Sequence, residues 1–155
     1  SLSKFNNEHG MANSRARLRM VTLYQVAAAN NGLVVGTGNK VEDFGVGFYT
    51  KYGDGGVDIS PIADCTKTDV WELGKQLGVL EEIIQAQPTD GLWDDGRTDE
   101  QQLGVTYDEL EWAMNNIDNQ EISLSEKQKD ILSIYRKFRN SNLHKMTSIP
   151  IFKKQ

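Results

Sequence analysis

The sequence predicts an α/β fold, on three observations. An apolar run, Leu33 to Val35, reads as a buried strand and ends abruptly in Gly-Thr-Gly-Asn-Lys. Residues 13–30 before it place apolar side chains at helical spacing. A second short strand at 58–62 leads directly into a capped helix. Size and composition agree: 155 residues with 38% apolar content can form one domain with a real core, residues 1–155, outside the disordered range. A net charge of −5 argues against a general nucleic-acid binder, which would carry a basic face. No apolar run approaches membrane-spanning length, so no membrane partner is expected. The single cysteine, Cys65, cannot form an internal disulfide and fits a reducing compartment, hence a cytoplasmic protein. With two histidines and one cysteine, a zinc cluster is not expected.

Each element has its own signal. Asn13 or Ser14 is the predicted N-cap of the first helix, which ends at Asn30 with Gly32 just beyond. Met20, Val21, Tyr24, Ala27 and Ala28 share its apolar side, with Arg15 and Arg19 on the opposite, solvated side. Arg17 lies on the apolar face, where an arginine needs an anion or an internal carboxylate. Thr66, with Asp69 three residues on, predicts a helix running to about Leu77 and stopped by Gly78. A short helical piece follows over 80–85. Residues 86–105 read as a long acidic loop in which Asp94, Asp95, Asp99 and Glu100 face solvent. Thr106 to Met114 and Ser125 to about Arg139 are further helices, and the mixed apolar and basic tail is expected to dock onto the body.

The ribbon over 36–67 carries the chemistry. It is rich in Gly, Asp, Lys and Glu and has little to bury, which suits a phosphorylated ligand with a divalent metal. In open α/β sheets ligands collect beyond the carboxyl ends of strands, where Thr37 stands. An ordinary strand-to-loop turn would use the same residues. Lys67, in the first turn of a helix, opposes the helix dipole, and phosphate oxygens would resolve that conflict.

Seven segments resemble the NAD synthetases of the N-type ATP pyrophosphatase superfamily. They are ARLRM at 16–20, GTGNKVE at 36–42, FYTKYGDGGVD at 48–58, PIADCTK at 61–67, PTDGLW at 88–93, LGVTYDELE at 103–111 and LHK at 143–145. The resemblance implies a Rossmann-like parallel sheet with flanking helices, of the adenine nucleotide alpha-hydrolase kind, in a homodimer. It implies ATP-dependent amidation of deamido-NAD with ammonia through an adenylated nicotinate carboxylate, releasing pyrophosphate and AMP. The family's Ser-Gly-Gly-x-Asp-Ser phosphate loop is not among these residues, so the chain reads as the C-terminal portion of such a domain. A catalytically silent nucleotide-binding half-domain, or a pyrophosphatase that amidates another carboxylate, are the alternatives.

By the same resemblance, Thr37, Lys67 and Thr89 contact ATP, and Lys67 stabilises charge as pyrophosphate leaves. Glu42 is the implied Mg²⁺ ligand, with Asp43 ranked below it. Arg17, Lys51, Asp58, His144 and Lys145 are implied to bind deamido-NAD. Compared with the family pattern, the segment between Glu42 and Lys51 is one residue longer. A solvated lysine for Lys51, a strand-end cap for Asp58 and a surface glutamate for Glu42 are the plain structural alternatives. Cys65 reads as structural, since no base partners it.

Overall fold

A computed structural model describes residues 2–5, 7–119 and 123–154. A 3-10 turn, Leu2–Phe5, precedes α1, Glu8–Ala29. This helix starts earlier than its periodicity predicts, because Asn7 Oδ1 accepts from Gly10 N at 2.7 Å and caps it there. Its inner line runs through buried Ala12 and Ala16 to Met20, Tyr24 and Ala27. Val21 and Ala28, predicted on that side, are exposed. The predicted solvated arginines are tied down: Arg15 Nη1 donates to Leu92 O at 2.5 Å and Arg19 Nη2 to Gly91 O at 3.3 Å.

The expected parallel pairing appears as one bridge, Val35 with Ile59. Gly36 N donates to Ile59 O at 2.7 Å and Asp58 N to Val34 O at 2.9 Å. Among the described residues no longer strand forms. Val34 and Gly36 are buried, but Leu33 and Val35 are 65% and 53% exposed. Successive side chains of an extended segment point to opposite sides, and one side is covered here, not both.

A π-helix, Lys40–Val46, follows, with Gly47 N donating to Glu42 O. Its wider turn takes up one residue more than an α-turn. The spacing also has a packing consequence. Val41 and Val46, five apart, both face the core at 0% exposure. Gly47 closes the turn at φ 65°, a left-handed conformation glycine adopts without strain.

α2, Lys67–Gln76, carries the predicted capping box between Thr66 and Asp69 and stops before Gly78. α3 is Glu81–Ile84. The stretch over 86–105 is not all loop: Thr98 and Gln101 form a capping box that starts α4, Asp99–Leu103. α5, Tyr107–Asn116, begins at Thr106 as predicted, and α6, Glu126–Met146, runs well past the predicted end. The core lies where the π-helix, α5 and α6 meet, filled by Val41, Val46, Leu110, Ile131, Leu132 and Tyr135. Docking of the tail ends at Lys145, whose Nζ donates to Gly47 O at 2.9 Å and Tyr49 O at 2.7 Å. Beyond it Ile149, Ile151 and Phe152 are exposed, against the expectation. Among the described residues no helix is long and apolar enough to cross a membrane.

Candidate functional site

Beyond the carboxyl end of the Val34–Gly36 segment opens a cleft of about 500 Å³. Thr37, Gly38, Glu42, Asp43, Lys67 and Thr89 line it. Lys40 ties the two flanking segments together twice: its backbone N donates to Cys65 O at 2.8 Å, and its Nζ pairs with Asp64 at 2.8 Å. Thr37 is exposed at the strand tip, and Thr89 Oγ1 donates to Arg97 O at 3.0 Å across the acidic stretch.

Glu42 and Lys67 form the centre. Lys67 Nζ donates to Glu42 Oε1 at 2.9 Å, with the two side chains 15% and 13% exposed. Asn39, 2% exposed, accepts from Val41 N and Glu42 N through Oδ1, and its Nδ2 donates to Glu42 Oε2 at 2.5 Å. Tyr107 Oη also bonds Glu42 Oε1, and lies 3.1 Å from Asp99 Oδ2. The Lys67 ammonium sits 4.7 Å from the centre of the Tyr107 ring.

Two carboxylates differ from expectation. Asp99, predicted to face solvent, is 7% exposed, and its Oδ1 has no hydrogen-bond partner in the described structure. Burial pushes its carboxyl above the usual range, opposed by the Tyr107 hydroxyl. Asp43 lies so close over Gly38 that a Cβ there would come within 1.9 Å of Asp43 Oδ2. Burial first, then the charges of Asp54 and Glu42, lift the Asp43 carboxyl to about 7, against the pull of Lys145.

The second predicted group gathers elsewhere. Arg17 is exposed rather than core-facing, and its Nε and Nη2 both donate to Lys51 O at 3.3 Å. Lys51 Nζ in turn donates to His144 O at 2.5 Å. Lys145 opens onto a second cavity of about 420 Å³, and burial lowers the pKa of its ammonium. Phe48, Asp54, Asp90 and Leu92 line both cavities, so the two share a wall. Asp58 stands apart: it accepts from Val34 N at 2.8 Å and Tyr24 Oη at 3.1 Å, the strand-end cap considered above.

Asn39, Asp99 and Tyr107 are the participants that sequence reasoning missed. The Thr98-x-x-Gln101 pattern could have located α4 and with it Asp99. Asn39 carries a local signal, a helix-capping asparagine three residues before Glu42, whereas nothing local marks Tyr107.

A carboxylate pair of oxygens offers about four acceptor positions, and the three donors to Glu42 leave one open on Oε2. Among the described residues no group of three His, Cys, Asp or Glu is placed to hold a metal. Mg²⁺ commonly takes one or two protein carboxylates and completes its shell with phosphates and water. Glu42 fits that limited part, and the partnerless Asp99 Oδ1 is a second hard oxygen on the same cleft.

The cleft lies at the end of the single parallel bridge and is entered by the N-terminus of α2, among the described residues of a helix-rich structure. The sequence profile of the NAD synthase family matches residues 2–150. The chain belongs to that family. It is 46% identical over 146 residues to the NH(3)-dependent NAD(+) synthetase of Methanococcoides burtonii, covering 90% of this chain and 54% of the relative. The Finegoldia magna NH(3)-dependent NAD(+) synthetase is 41% identical, with 91% and 58% covered. The chain thus spans little more than half the length of these curated relatives. The solved structure of an NMN synthetase from Francisella tularensis superposes with a TM-score of 0.83 at 35% identity, covering 98% of this chain and 60% of that one. An NH3-dependent NAD synthetase from Campylobacter jejuni gives a TM-score of 0.70 at 23% identity, covering 96% and 57%, a likeness of fold alone.

Proposed function

We propose that residues 1–155 form the C-terminal portion of one synthetase domain, whose completed form is a Rossmann-like parallel sheet in a cytoplasmic homodimer. The reaction is the ATP-dependent amidation of deamido-NAD with ammonia. ATP adenylates the nicotinate carboxylate and pyrophosphate departs; ammonia then displaces AMP and leaves the amide. Thr37, Lys67 and Thr89 hold ATP, and Lys67 offsets the charge that builds as pyrophosphate leaves. Glu42 holds Mg²⁺, which when bound neutralises phosphate charge. Arg17, Lys51, Asp58, His144 and Lys145 receive deamido-NAD. The partly folded 86–105 segment, tied to α1 by Arg15 and Arg19, keeps water from the acyl-adenylate.

The observation that carries this reading is convergence. Thr37, Glu42, Lys67 and Thr89, scattered along the chain, line one cleft, and Lys145 lines the cavity sharing its wall. The test is the full protein with ATP, Mg²⁺, ammonium and deamido-NAD. Equal amounts of AMP, pyrophosphate and NAD are expected; no NAD formation would refute the proposal. Because one structural relative is an NMN synthetase, a parallel assay offers the mononucleotide carboxylate that would yield NMN. Preferential use of deamido-NAD is expected.

A further inference from the structure

Tyr107 is 1% exposed and touches three parts of the cleft at once. Its hydroxyl meets Glu42 Oε1, from the π-helix, and Asp99 Oδ2, from α4. Its ring underlies the ammonium of Lys67, from the first turn of α2. The residue itself cannot wander. Its backbone N donates to Glu100 Oε1 at 2.9 Å, Thr106 caps the helix immediately before it, and Trp71 packs edge-on at 6.0 Å between centroids.

The geometry has a reason beyond packing. Glu42 and Lys67 sit on different elements, the π-helix and α2, and a long glutamate and a long lysine each have several rotamers to choose from. A tyrosine constrains both with one side chain: a hydroxyl fixes the carboxylate, and the ring face attracts the ammonium through its negative quadrupole. We propose that Tyr107 is the positioning residue of this cleft, holding the Glu42 carboxylate and the Lys67 ammonium in one geometry and tying both to the 86–105 segment through Asp99. The inference rests on the roles proposed for Glu42 and Lys67 above.

The test is Tyr107→Phe in the full protein, which keeps the ring and the core packing and removes the hydroxyl alone. Partners that orient a metal-binding carboxylate typically contribute about 10–100-fold to metal affinity or activity. The Mg²⁺ concentration needed for half-maximal ATP binding, read by calorimetry without a second substrate, is expected to rise about tenfold. The turnover number is expected to fall by about the same factor. KM for deamido-NAD should stay within about twofold, because Arg17, Lys51 and His144 do not touch Tyr107. A purely structural hydroxyl would lower the unfolding temperature and leave the metal requirement where it was. An unchanged metal requirement together with unchanged turnover overturns the inference. If the wild-type protein makes no NAD, the proposed activity falls, and the calorimetric shift alone still decides the role of Tyr107: a tenfold rise supports it and none overturns it.

Discussion

Replacing Lys67 by alanine separates what this lysine does for the fold from what it does for the reaction. Its ammonium and the Glu42 carboxylate are both largely buried, 15% and 13% exposed, at 2.9 Å. Removing one member of a fully buried pair costs roughly 3–5 kcal/mol because the other charge is stranded. Glu42 is not fully stranded, since Tyr107 and Asn39 still donate to it. The loss is therefore closer to that of one charge-assisted hydrogen bond, about 2 kcal/mol. That corresponds to about 1 M in the urea midpoint for a protein of this size. The catalytic effect is independent and larger: loss of one donor to developing charge costs about 10²–10³ in turnover. Lys67→Arg keeps the ion pair, so the urea midpoint should largely recover. Its planar fork places the charge differently, so turnover should recover only in part. Both variants are assayed well below their unfolding midpoints for AMP and pyrophosphate release. Turnover in Lys67→Ala within threefold of wild type, with the midpoint lowered as expected, would reduce Lys67 to a structural residue and refute the reasoning.

Two further outcomes follow from the same geometry. Asp43 is held near pKa 7 in the native state against 3.8 ordinarily, so the folded chain keeps a proton that the unfolded chain sheds; its contribution favours folding at low pH and is lost as pH rises from about 4 through about 7. Asp43→Asn should flatten that stretch of the stability–pH curve, measured by urea titration, and parallel slopes in variant and wild type would contradict it. Gly47→Ala combines a positive φ with a Cβ 2.5 Å from the Asn142 Cβ, whereas Gly78→Ala has a similar φ and nothing within 4 Å. The first should cost about 1–3 kcal/mol more than the second in chemical unfolding, and equal costs would show that the Asn142 contact gives way freely.

Much of the fold was legible because helix starts are written locally. Thr66 with Asp69, Thr106 with Glu109 and Ser125 with Gln128 each carry cap and partner within one turn, and all three became capping boxes. Thr98 with Gln101 carries the same signal, but the surrounding acidic residues masked it, and Asp99 was misread as solvated. The start of α1 was missed because its cap, Asn7, lies outside the periodic stretch. The resemblance picked out residues that do converge, Thr37, Glu42, Lys67 and Thr89, although spacing alone could not have distinguished them from an ordinary loop. Tyr107 was beyond reach for a different reason. Its significance lies in the distant side chain it meets, Glu42 of the π-helix, and no local pattern encodes a meeting of that kind, whereas Asn39 reaches Glu42 as the cap three residues before it.

The most direct measurement is a crystal structure of the full protein with deamido-NAD and a non-hydrolysable ATP analogue bound together. The expected result places the analogue's phosphates against Lys67, Thr37 and Thr89, with deamido-NAD reaching Lys51 and Lys145 across the shared wall. Both nucleotides bound away from this cleft, with the Glu42–Lys67 pair undisturbed, would contradict the account.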